Sequence, residues 1–220
     1  MKKNLVLIVL FILPIVAYLF FASGVNSFNK LPIITNSVSE LGKWKSYDNK
    51  TIQLSGKITI LGFSGEDVFS KRGNYFNLSQ KIYKKYSEFK DFQIVIVAPI
   101  GSEKQVDDVM SKLKSVSEMN NMHFVFATPN EIDSFYKTLK LKEVLNSKLG
   151  TPNVYIIDKD RNVRGRKGLN DKNEEEYKEG YNTSMVSELH NEMTDDVRII
   201  LAEYRLALKK NNADRKKYGL

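Results

Sequence analysis

Cysteine is missing from the sequence, which has only two histidines and a single tryptophan among its 220 residues. Without a thiol, the chain can form no disulfide, perform no thiol catalysis, and ligate neither zinc nor an iron–sulfur cluster through cysteine. A lipid anchor attached through cysteine is excluded for the same reason. The rest of the composition, 42% apolar and 27% charged, is typical of a globular domain with a sizeable core.

Long blocks of one charge are also missing. Lys and Arg number 34 against 26 Asp and Glu, a formal net charge of +8, but the basic residues are spread along the chain. No stripe of Lys and Arg alternates with aromatic residues in the sequence, so we predict no nucleic-acid partner. The mild positive excess suits an anionic membrane surface or an acidic protein.

Charge is absent altogether from one segment near the N-terminus, Leu5–Phe21, which follows Lys2 and Lys3. We predict that residues 1–24 are a membrane anchor or signal segment. An uncleaved single-pass helix is favoured, because the apolar run is long for a signal peptide and Ala22–Gly24 is a poor cleavage site. The positive-inside rule then keeps the N-terminus in the cytoplasm and sends the rest of the chain across the membrane.

Apolar runs and amphipathic periods alternate through the middle of the sequence, and they predict strands and helices in turn. In chain order these are an edge strand Thr51–Leu54, a core strand Lys57–Phe63, a helix opened by a capping box at Asn77–Gln80, a strand Phe92–Pro99, a helix over 103–119, a strand His123–Ala127, a helix Pro129–Asn146 and a hairpin over 153–166. This order predicts an α/β fold with a mainly parallel sheet and an antiparallel edge.

The whole chain is divided accordingly. We assign residues 25–50 to a tether and the first layer of the domain, 51–167 to the α/β domain, 168–185 to an acidic loop, 186–210 to a long helix and 211–220 to a basic tail. The acidic stretch is interpreted as a solvated loop, because its carboxylates lack the regular spacing of a calcium loop. The long helix carries apolar residues on one face and is expected to pack on the sheet or on a partner.

The chain is organised around the turn Ser64–Arg72, where the core strand ends and a helix follows. A junction of this kind normally carries a site, yet this one contains no recognisable nucleophile, acid/base pair or metal cluster. Glu66 and Asp67 are adjacent carboxylates that could act as acid/base groups. In a strand-to-helix turn such residues more often face water or favour the positive helix N-terminus.

The chain resembles a membrane-anchored thioredoxin-like domain in the order of its segments. These are a membrane anchor, the strand sequence LSGKITILGF, a site turn, a helix ending in KIYKKY and the hairpin GTPNVYIIDKDRNVRGR. Within that superfamily, residues 30–166 are most similar to the SCO (SenC) family of copper chaperones for cytochrome oxidase assembly. The resemblance implies a thioredoxin-like mixed sheet flanked by helices, with an N-terminal transmembrane helix and a long C-terminal helix. It also implies that Thr151–Pro152 matches the Thr-Pro of thioredoxin-like proteins, whose proline is cis and faces the site.

The same resemblance shows where this sequence departs from the family. SCO proteins carry CxxxC in the turn, and a distal histidine before the last hairpin completes their copper site. Here the two cysteine positions fall on Val68 and Arg72, and no histidine lies between Leu145 and Pro152. Because copper binding of this kind and disulfide exchange both require a thiolate, neither activity carries over.

We therefore interpret the chain as a non-catalytic domain without a cofactor, anchored in the bacterial inner membrane with its C-terminal domain in the periplasm, that acts as a binding or assembly accessory factor. Its expected partners are the membrane, through the N-terminal helix, and a protein. The candidate interaction surface comprises Ser64, Glu66, Asp67, Val68, Arg72, Thr151, Pro152, Arg164 and Arg166, with Arg161 and Lys167 on the same basic hairpin.

Two alternatives stay open at this point. His190 and Met193 have i, i+3 spacing on the C-terminal helix, and with His123 they could hold Cu(I) in a periplasmic copper-binding protein. The same residue types are also typical of surface and packing positions. Alternatively, the chain is a structural scaffold that docks through its C-terminal helix.

Overall fold

The structure is a computed structural model that describes residues 10–19, 30–170 and 172–218, with side chains up to residue 207. Its strands are β1 (Ile33–Thr35), β2 (Lys45–Ser46), β3 (Ile58–Ser64), β4 (Phe92–Pro99), β5 (Met122–Ala127), β6 (Gly150–Ile157), β7 (Val163–Arg164), β8 (Arg166–Leu169), β9 (Glu175–Lys178) and β10 (Tyr181–Asn182). Residues 10–19 are helical.

The helices of the domain follow the strands in alternation. They are α1 (Arg72–Leu78), α2 (Glu103–Lys114), α3 (Pro129–Thr138) and α4 (Thr194–Tyr218). Helix α1 continues through a π-helical turn (Ser79–Tyr83) and a last α-helical turn (Lys84–Tyr86). Helix α4 is preceded by a short helix (Val186–Glu188) and a π-helical turn (Leu189–Met193).

The main sheet has the strand order β1-β7-β6-β3-β4-β5-β2, and β10 pairs with β6. Strands β3, β4 and β5 run parallel, whereas β6 is antiparallel to β3. All residues of these three parallel strands are buried, as expected for strands covered by helices on both faces. The predicted mixed sheet with an antiparallel edge is thus confirmed.

Alternate side chains of the strands enter two hydrophobic layers. Ile60 and Ile94 belong to the layer that contains residues of α1, α2 and α4, whereas Leu61 and Val95 belong to the layer that contains residues of α3. This follows from the two-residue period of a strand. Ser64, the last residue of β3, pairs with Gly150, the first residue of β6. The loop after β3 and the start of β6 therefore meet at one edge of the sheet.

Helix α1 begins earlier than the sequence predicts. Its first residue is Arg72 and its N-terminal flank makes no side-chain cap, so the predicted capping box at Asn77–Gln80 is wrong. Asn77 lies inside the helix, where its side-chain amide donates to the carbonyl of Thr183 at 3.0 Å. Asparagine is common both at helix caps and in side-chain hydrogen bonds to the backbone of another segment, so the sequence does not distinguish the two roles.

Helices α2 and α3 end earlier than predicted, at Lys114 and Thr138. Helix α3 does begin as predicted, with a capping box between Thr128 and Glu131. It cannot continue to Asn146, because Lys140 has a φ of 50° and a left-handed residue interrupts an α-helix.

The edge strand predicted at Thr51–Leu54 is wrong. The backbone amide of Leu54 donates to the Glu40 carboxylate at 2.6 Å instead of joining a strand, and β2 pairs antiparallel with β5. Leu54 is nevertheless fully buried, which explains why this segment has an apolar sequence.

The stretch predicted as a solvated acidic loop, residues 168–185, is largely structured. Strands β8 and β9 form a separate hairpin, and Tyr181 of β10 pairs with Val154 of β6. Tyr181 is fully buried, and its hydroxyl donates to Asp196 of α4 at 2.5 Å. This segment therefore fastens the C-terminal helix to the sheet, although Leu169 and other hairpin residues are exposed as predicted.

The C-terminal helix is part of the hydrophobic core. Leu189, Met193, Val197 and Ile200 are fully buried in the same cluster as α1 and α2, which confirms the predicted apolar face. Helical backbone continues to Tyr218, beyond the predicted end at residue 210.

The predicted transmembrane segment, Leu5–Phe21, falls partly outside the described residues. Within the ranges 10–19, 30–170 and 172–218, we find no helix that combines the length and the apolar character needed to cross a membrane. The membrane span stays a prediction from the sequence.

Candidate functional site

The loop Gly65–Lys71 joins the end of β3 to α1 and lies against the start of β6. Gly65 has a φ of +66°, and a Cβ at this position would meet the carbonyl oxygen of Lys148 at 2.6 Å. Glycine is therefore needed here for both its backbone conformation and its small size. The amide of Glu66 also donates to the Lys148 carbonyl, at 3.1 Å. These contacts hold the loop firmly against the segment before Gly150.

Lys71 lies at the centre of the site, although the sequence analysis did not select it. Its ammonium donates to the carbonyl of Ser64 at 2.6 Å. A Cβ on Gly150 would come within 2.5 Å of the same nitrogen, so the glycine makes room for the lysine. Burial lowers the pKa of Lys71, and the charge of Asp67 only partly opposes this. The sequence carries no signal for this placement, because an isolated lysine in a polar turn normally faces solvent.

The predicted surface residues Glu66, Asp67 and Arg72 are exposed around this lysine. Asp67 forms an ion pair with Lys148 at 2.5 Å. Arg72 lies over the ring of Phe69, with its guanidinium carbon 4.6 Å from the ring centroid. The outer face of the turn is thus a charged surface in which acidic and basic groups alternate.

Four residues of the predicted interaction surface are buried, which corrects that assignment: Ser64 and Thr151 as well as Val68 and Arg164. Val68 is fully buried in the hydrophobic core. Arg164 is 5% exposed and forms ion pairs with Asp158 at 3.0 Å and Glu203 at 2.9 Å. Its guanidinium therefore joins the hairpin to α4 and is not available to a partner.

Arg166 is also committed to contacts inside the domain. It is half-buried and pairs with Asp196 at 2.9 Å and with Glu176 at 3.1 Å. The predicted basic hairpin is consequently neutralised by carboxylates at two of its arginines, while Lys167 remains exposed and Arg161 half-buried.

Thr151 and Pro152 lie beside Lys71, as the resemblance implies, but the peptide bond between them is trans, which corrects the expected cis proline. Strand β6 already runs through both residues in extended form. The Pro152 carbonyl accepts hydrogen bonds from the amide and the hydroxyl of Thr183, at 3.0 and 2.6 Å. These contacts fix the start of β6 as a strand and leave the Pro152 ring exposed.

A carboxylate that the sequence analysis missed positions the other side of this strand. Glu143 accepts hydrogen bonds from Thr151, Asn153 and Tyr155, at 2.5, 2.9 and 2.5 Å. Burial, reinforced by the hydrogen bond to Glu143, raises the pKa of Tyr155 and keeps its hydroxyl a proton donor. Glu143 belongs to a connecting segment, and only the tertiary fold brings its partners together.

The structure does not bring the three candidate copper ligands together. Met193 is fully buried in the core, whereas His190 is exposed, because the π-helical turn over Leu189–Met193 changes the spacing of side chains around the helix. His123 is buried in β5, where its Nδ1 lies 3.1 Å from the carboxylate of Asp48. Among the described residues, no group of three or more His, Asp or Glu side chains is arranged to hold a metal ion.

A small cleft opens between α1 and the start of β6. Lys71, Asn74, Tyr75, Thr151 and Pro152 are among the residues that line it, and its volume is about 10 Å³. A space of this size admits one water or one ligand oxygen. The interior of the cleft can therefore receive a single small polar group.

No protein-family model and no curated protein sequence matches the chain, but solved structures do. One of them is BsSco, a member of the Sco family of cytochrome c oxidase assembly proteins in which a disulfide switch has been identified. It aligns with a TM-score of 0.50 and 15% identity over 76% of this chain and 92% of that chain. The chain has a thioredoxin-like fold.

Other structures with a thioredoxin-like fold align over similar lengths. The soluble domain of Sco1 from Bacillus subtilis aligns with a TM-score of 0.47 and 18% identity over 77% of this chain and 94% of that chain. The thioredoxin domain of a thiol-disulfide oxidoreductase from Bacteroides vulgatus aligns with a TM-score of 0.44 and 15% identity over 64% of this chain and 92% of that chain. The thioredoxin-like sheet with flanking helices that the resemblance implies is confirmed by the alignment with BsSco, whereas the N-terminal transmembrane helix stays a prediction.

Proposed function

We propose that this chain is a non-catalytic, cysteine-less thioredoxin-like domain of the Sco type that works by binding, as an accessory or assembly factor. The proposal is carried by Lys71, whose ammonium bonds the Ser64 carbonyl at 2.6 Å in the turn where the family resemblance places two thiols. An ammonium supplies neither a sulfur nucleophile nor a soft metal ligand, but it can hold an acceptor group of a partner.

The kind of process is suggested by the structural neighbours. BsSco is described as a member of a family of cytochrome c oxidase assembly proteins. A domain with this fold needs no thiol to dock on a membrane complex. The step from shared fold to an assembly role is an analogy, and the crosslinking experiment below tests it.

The copper-binding alternative receives no support from the arrangement of its ligands. A soft metal site requires ligands that converge on one point, whereas Met193 is buried in the core and His190 is exposed. The scaffold alternative requires a C-terminal helix with a free apolar face. The first half of α4 instead buries Val197 and Ile200 in the domain core.

We also propose that the domain is held at the periplasmic face of the bacterial inner membrane. The support is the uncharged segment Leu5–Phe21 and the two lysines before it, which favour a single span with a cytoplasmic N-terminus. The positively charged chain would then lie close to anionic lipid headgroups.

The experiment uses the full-length protein in its native membrane, crosslinked before purification. A site variant carries Glu66→Ala, Asp67→Ala and Arg72→Ala. A control variant carries Asp108→Ala, Asp133→Ala and Lys137→Ala, which likewise removes two acids and one base from exposed positions. We expect one protein to be captured with the wild type and the control, and to be lost with the site variant.

Two results would contradict the proposal. Equal capture by all three proteins would show that the turn takes no part in binding. Turnover of a redox or peroxide substrate by the purified protein would show that the domain is an enzyme. Stoichiometric copper in the purified wild type, lost in His190→Ala, would instead support the copper-binding alternative.

A further inference from the structure

The second half of helix α4 carries more than half of the net charge of the chain. From Arg205 to Tyr218 the sequence contains six Lys and Arg residues and one acidic residue, a net charge of +5 out of +8 for the whole chain. The helical backbone continues through this segment to Tyr218. Basic residues gathered on one helix are typical of a contact with an anionic surface.

Three of these basic residues occupy the side of α4 that is turned away from the core. Arg205, Lys209 and Lys216 are separated by four and seven residues, so they share one face of an α-helix. Arg205 is exposed. Ile200, which is fully buried in the core, falls on the far side of the helix from this face by the same helical period. The basic face is therefore not covered by the domain.

The start of the domain is fixed to the same helix. The backbone amide of Leu31 donates to the carboxylate of Glu203 at 3.2 Å, and the Leu31 carbonyl accepts from the guanidinium of Arg164 at 2.8 Å. The predicted membrane segment ends at residue 24, seven residues before Leu31. Seven residues in the most extended form reach at most about 25 Å. With the proposed span in the bilayer, Glu203 therefore lies within about 25 Å of the end of the span.

The helix after Glu203 is long enough to cover that distance. It continues for fifteen residues to Tyr218, which at 1.5 Å per residue gives about 22 Å. Each Lys or Arg close to an anionic lipid surface strengthens binding about fivefold. Because the membrane span would tether the helix, this binding is intramolecular and occurs at a high effective concentration of lipid.

We infer that the second half of α4 binds the anionic lipid headgroups of the membrane in which the chain is anchored, through its basic residues between Arg205 and Lys217. The inference rests on the proposed membrane placement. It goes beyond the proposed function, because it assigns a second interaction surface that is separate from the turn Ser64–Arg72. The attraction is electrostatic, so the contact requires anionic lipid and is weakened by salt.

The test measures the contact in the full-length protein, incorporated into lipid nanodiscs. Asn212→Cys introduces the only thiol of the chain, which is labelled with bimane. The discs contain a small fraction of lipid with a nitroxide on its headgroup, in phosphatidylcholine with or without phosphatidylglycerol. We expect the nitroxide to quench the bimane by about half or more with phosphatidylglycerol, and to have little effect without it. Raising the salt concentration to about 0.5 M should remove the quenching.

Two charge variants of the labelled protein show which basic residues are responsible. The helix variant replaces five basic residues of α4 by glutamine, which preserves helix propensity, at Lys209, Lys210, Arg215, Lys216 and Lys217. We expect it to lose the quenching. The control variant removes the same charge from five exposed lysines of the domain, at Lys43, Lys45, Lys84, Lys85 and Lys90. It should be quenched as strongly as the protein with all its lysines.

Equal quenching in both lipid mixtures, no quenching in either, or equal loss in both charge variants would overturn the lipid contact. A protein that does not enter nanodiscs would overturn both this contact and the proposed membrane placement. Loss of the crosslinked partner in the helix variant, with no lipid quenching in the unsubstituted helix, would assign the helix to an acidic protein instead.

The lipid contact and the proposed accessory role can fail separately. If lipid quenching were absent while a partner was still lost on mutating Glu66, Asp67 and Arg72, the proposed function would stand without the lipid contact. If quenching occurred as expected while no partner depended on the turn, the lipid contact would stand and the proposed accessory role would fall.

Discussion

Single polar residues in the interior hold much of this domain together. Glu143 bonds three side chains of β6, Glu179 accepts from the backbone amides of Lys142 and Glu143, and Asp158 pairs with Arg164. Each of these carboxylates, of which Glu179 and Asp158 are buried and Glu143 is half-buried, has its donors in place, as burial of charge requires. Removing one partner would leave several groups unsatisfied at once.

We expect Glu143→Ala to lower the free energy of unfolding by about 3 kcal/mol, because three donors lose a charged acceptor and at least one stays buried. Urea denaturation of the variant and the wild type measures this loss. Glu118→Ala, at an exposed position, serves as the control and should change stability by less than about 0.5 kcal/mol. A loss below about 1 kcal/mol for Glu143→Ala would mean that water replaces the carboxylate at little cost.

His123 gives the domain a defined pH dependence. Burial lowers its pKa in the folded state, and Asp48 only partly opposes this. The unfolded chain therefore binds a proton near pH 6.5 that the folded chain does not bind. Stability is fully present above that pH and falls as the pH drops below it, by up to about 1.4 kcal/mol per pH unit.

Comparison of variants isolates this effect. Urea denaturation between pH 7.5 and 5 should show a shallower loss of stability in His123→Gln than in the wild type. His190→Gln should follow the wild type, since His190 is exposed. If both histidine variants lost stability in parallel with the wild type, the carboxylates alone would account for the pH dependence.

At the scale of elements, the C-terminal helix has two different halves. Up to Ile200 it fills the core beside α1 and α2, and Glu203 ties it to Arg164 and to the amide of Leu31. From Arg205 to Ala207 the residues are exposed. The first half is therefore part of the fold, whereas Arg205–Ala207, at the start of the second half, face solvent.

Truncation should separate the two halves. A chain ended after Ala207 should unfold cooperatively, with a free energy of unfolding within about 1 kcal/mol of the wild type. A chain ended after Met185 should lose the cooperative transition, because the core loses four fully buried side chains at roughly 2 to 5 kcal/mol each. Circular dichroism during urea titration gives both results. A cooperative transition in the shorter chain would revive the scaffold alternative, in which the helix docks elsewhere.

On the scale of the whole molecule, the lack of cysteine makes the proposed membrane orientation directly testable. Single cysteines introduced by Asn4→Cys or Lys104→Cys would be the only thiols of the chain. Lys104 is exposed on α2, on the periplasmic side if the N-terminus is cytoplasmic. A membrane-impermeant maleimide should label Lys104→Cys in intact spheroplasts, and Asn4→Cys only after lysis. The reverse pattern would invert the orientation, and labelling of both in intact spheroplasts would rule out a single span.

The thioredoxin-like fold was predictable because its signals are local and repeated. Strands β3, β4 and β5 are apolar runs that need cover on both faces, and the intervening helices show a clear helical period. The edges were harder to predict. Thr51–Leu54 has the composition of a strand but bonds to Glu40, and β10 lies in a sequence whose acidic character masks the buried Tyr181. Edge segments depend on whichever neighbour reaches them, and sequence periodicity does not identify that neighbour.

The sequence by itself determined which chemistry the chain cannot perform. A chain without cysteine has no thiolate, wherever its residues lie. Only the tertiary structure decided which residues form the site. Val68, assigned to the surface, is buried, while Lys71 and Tyr75, unremarked in the sequence, meet at one cleft. The physical reason is that residue type fixes which bonds a group can make, whereas burial and distance, set by segments far apart in the chain, fix which bonds it does make.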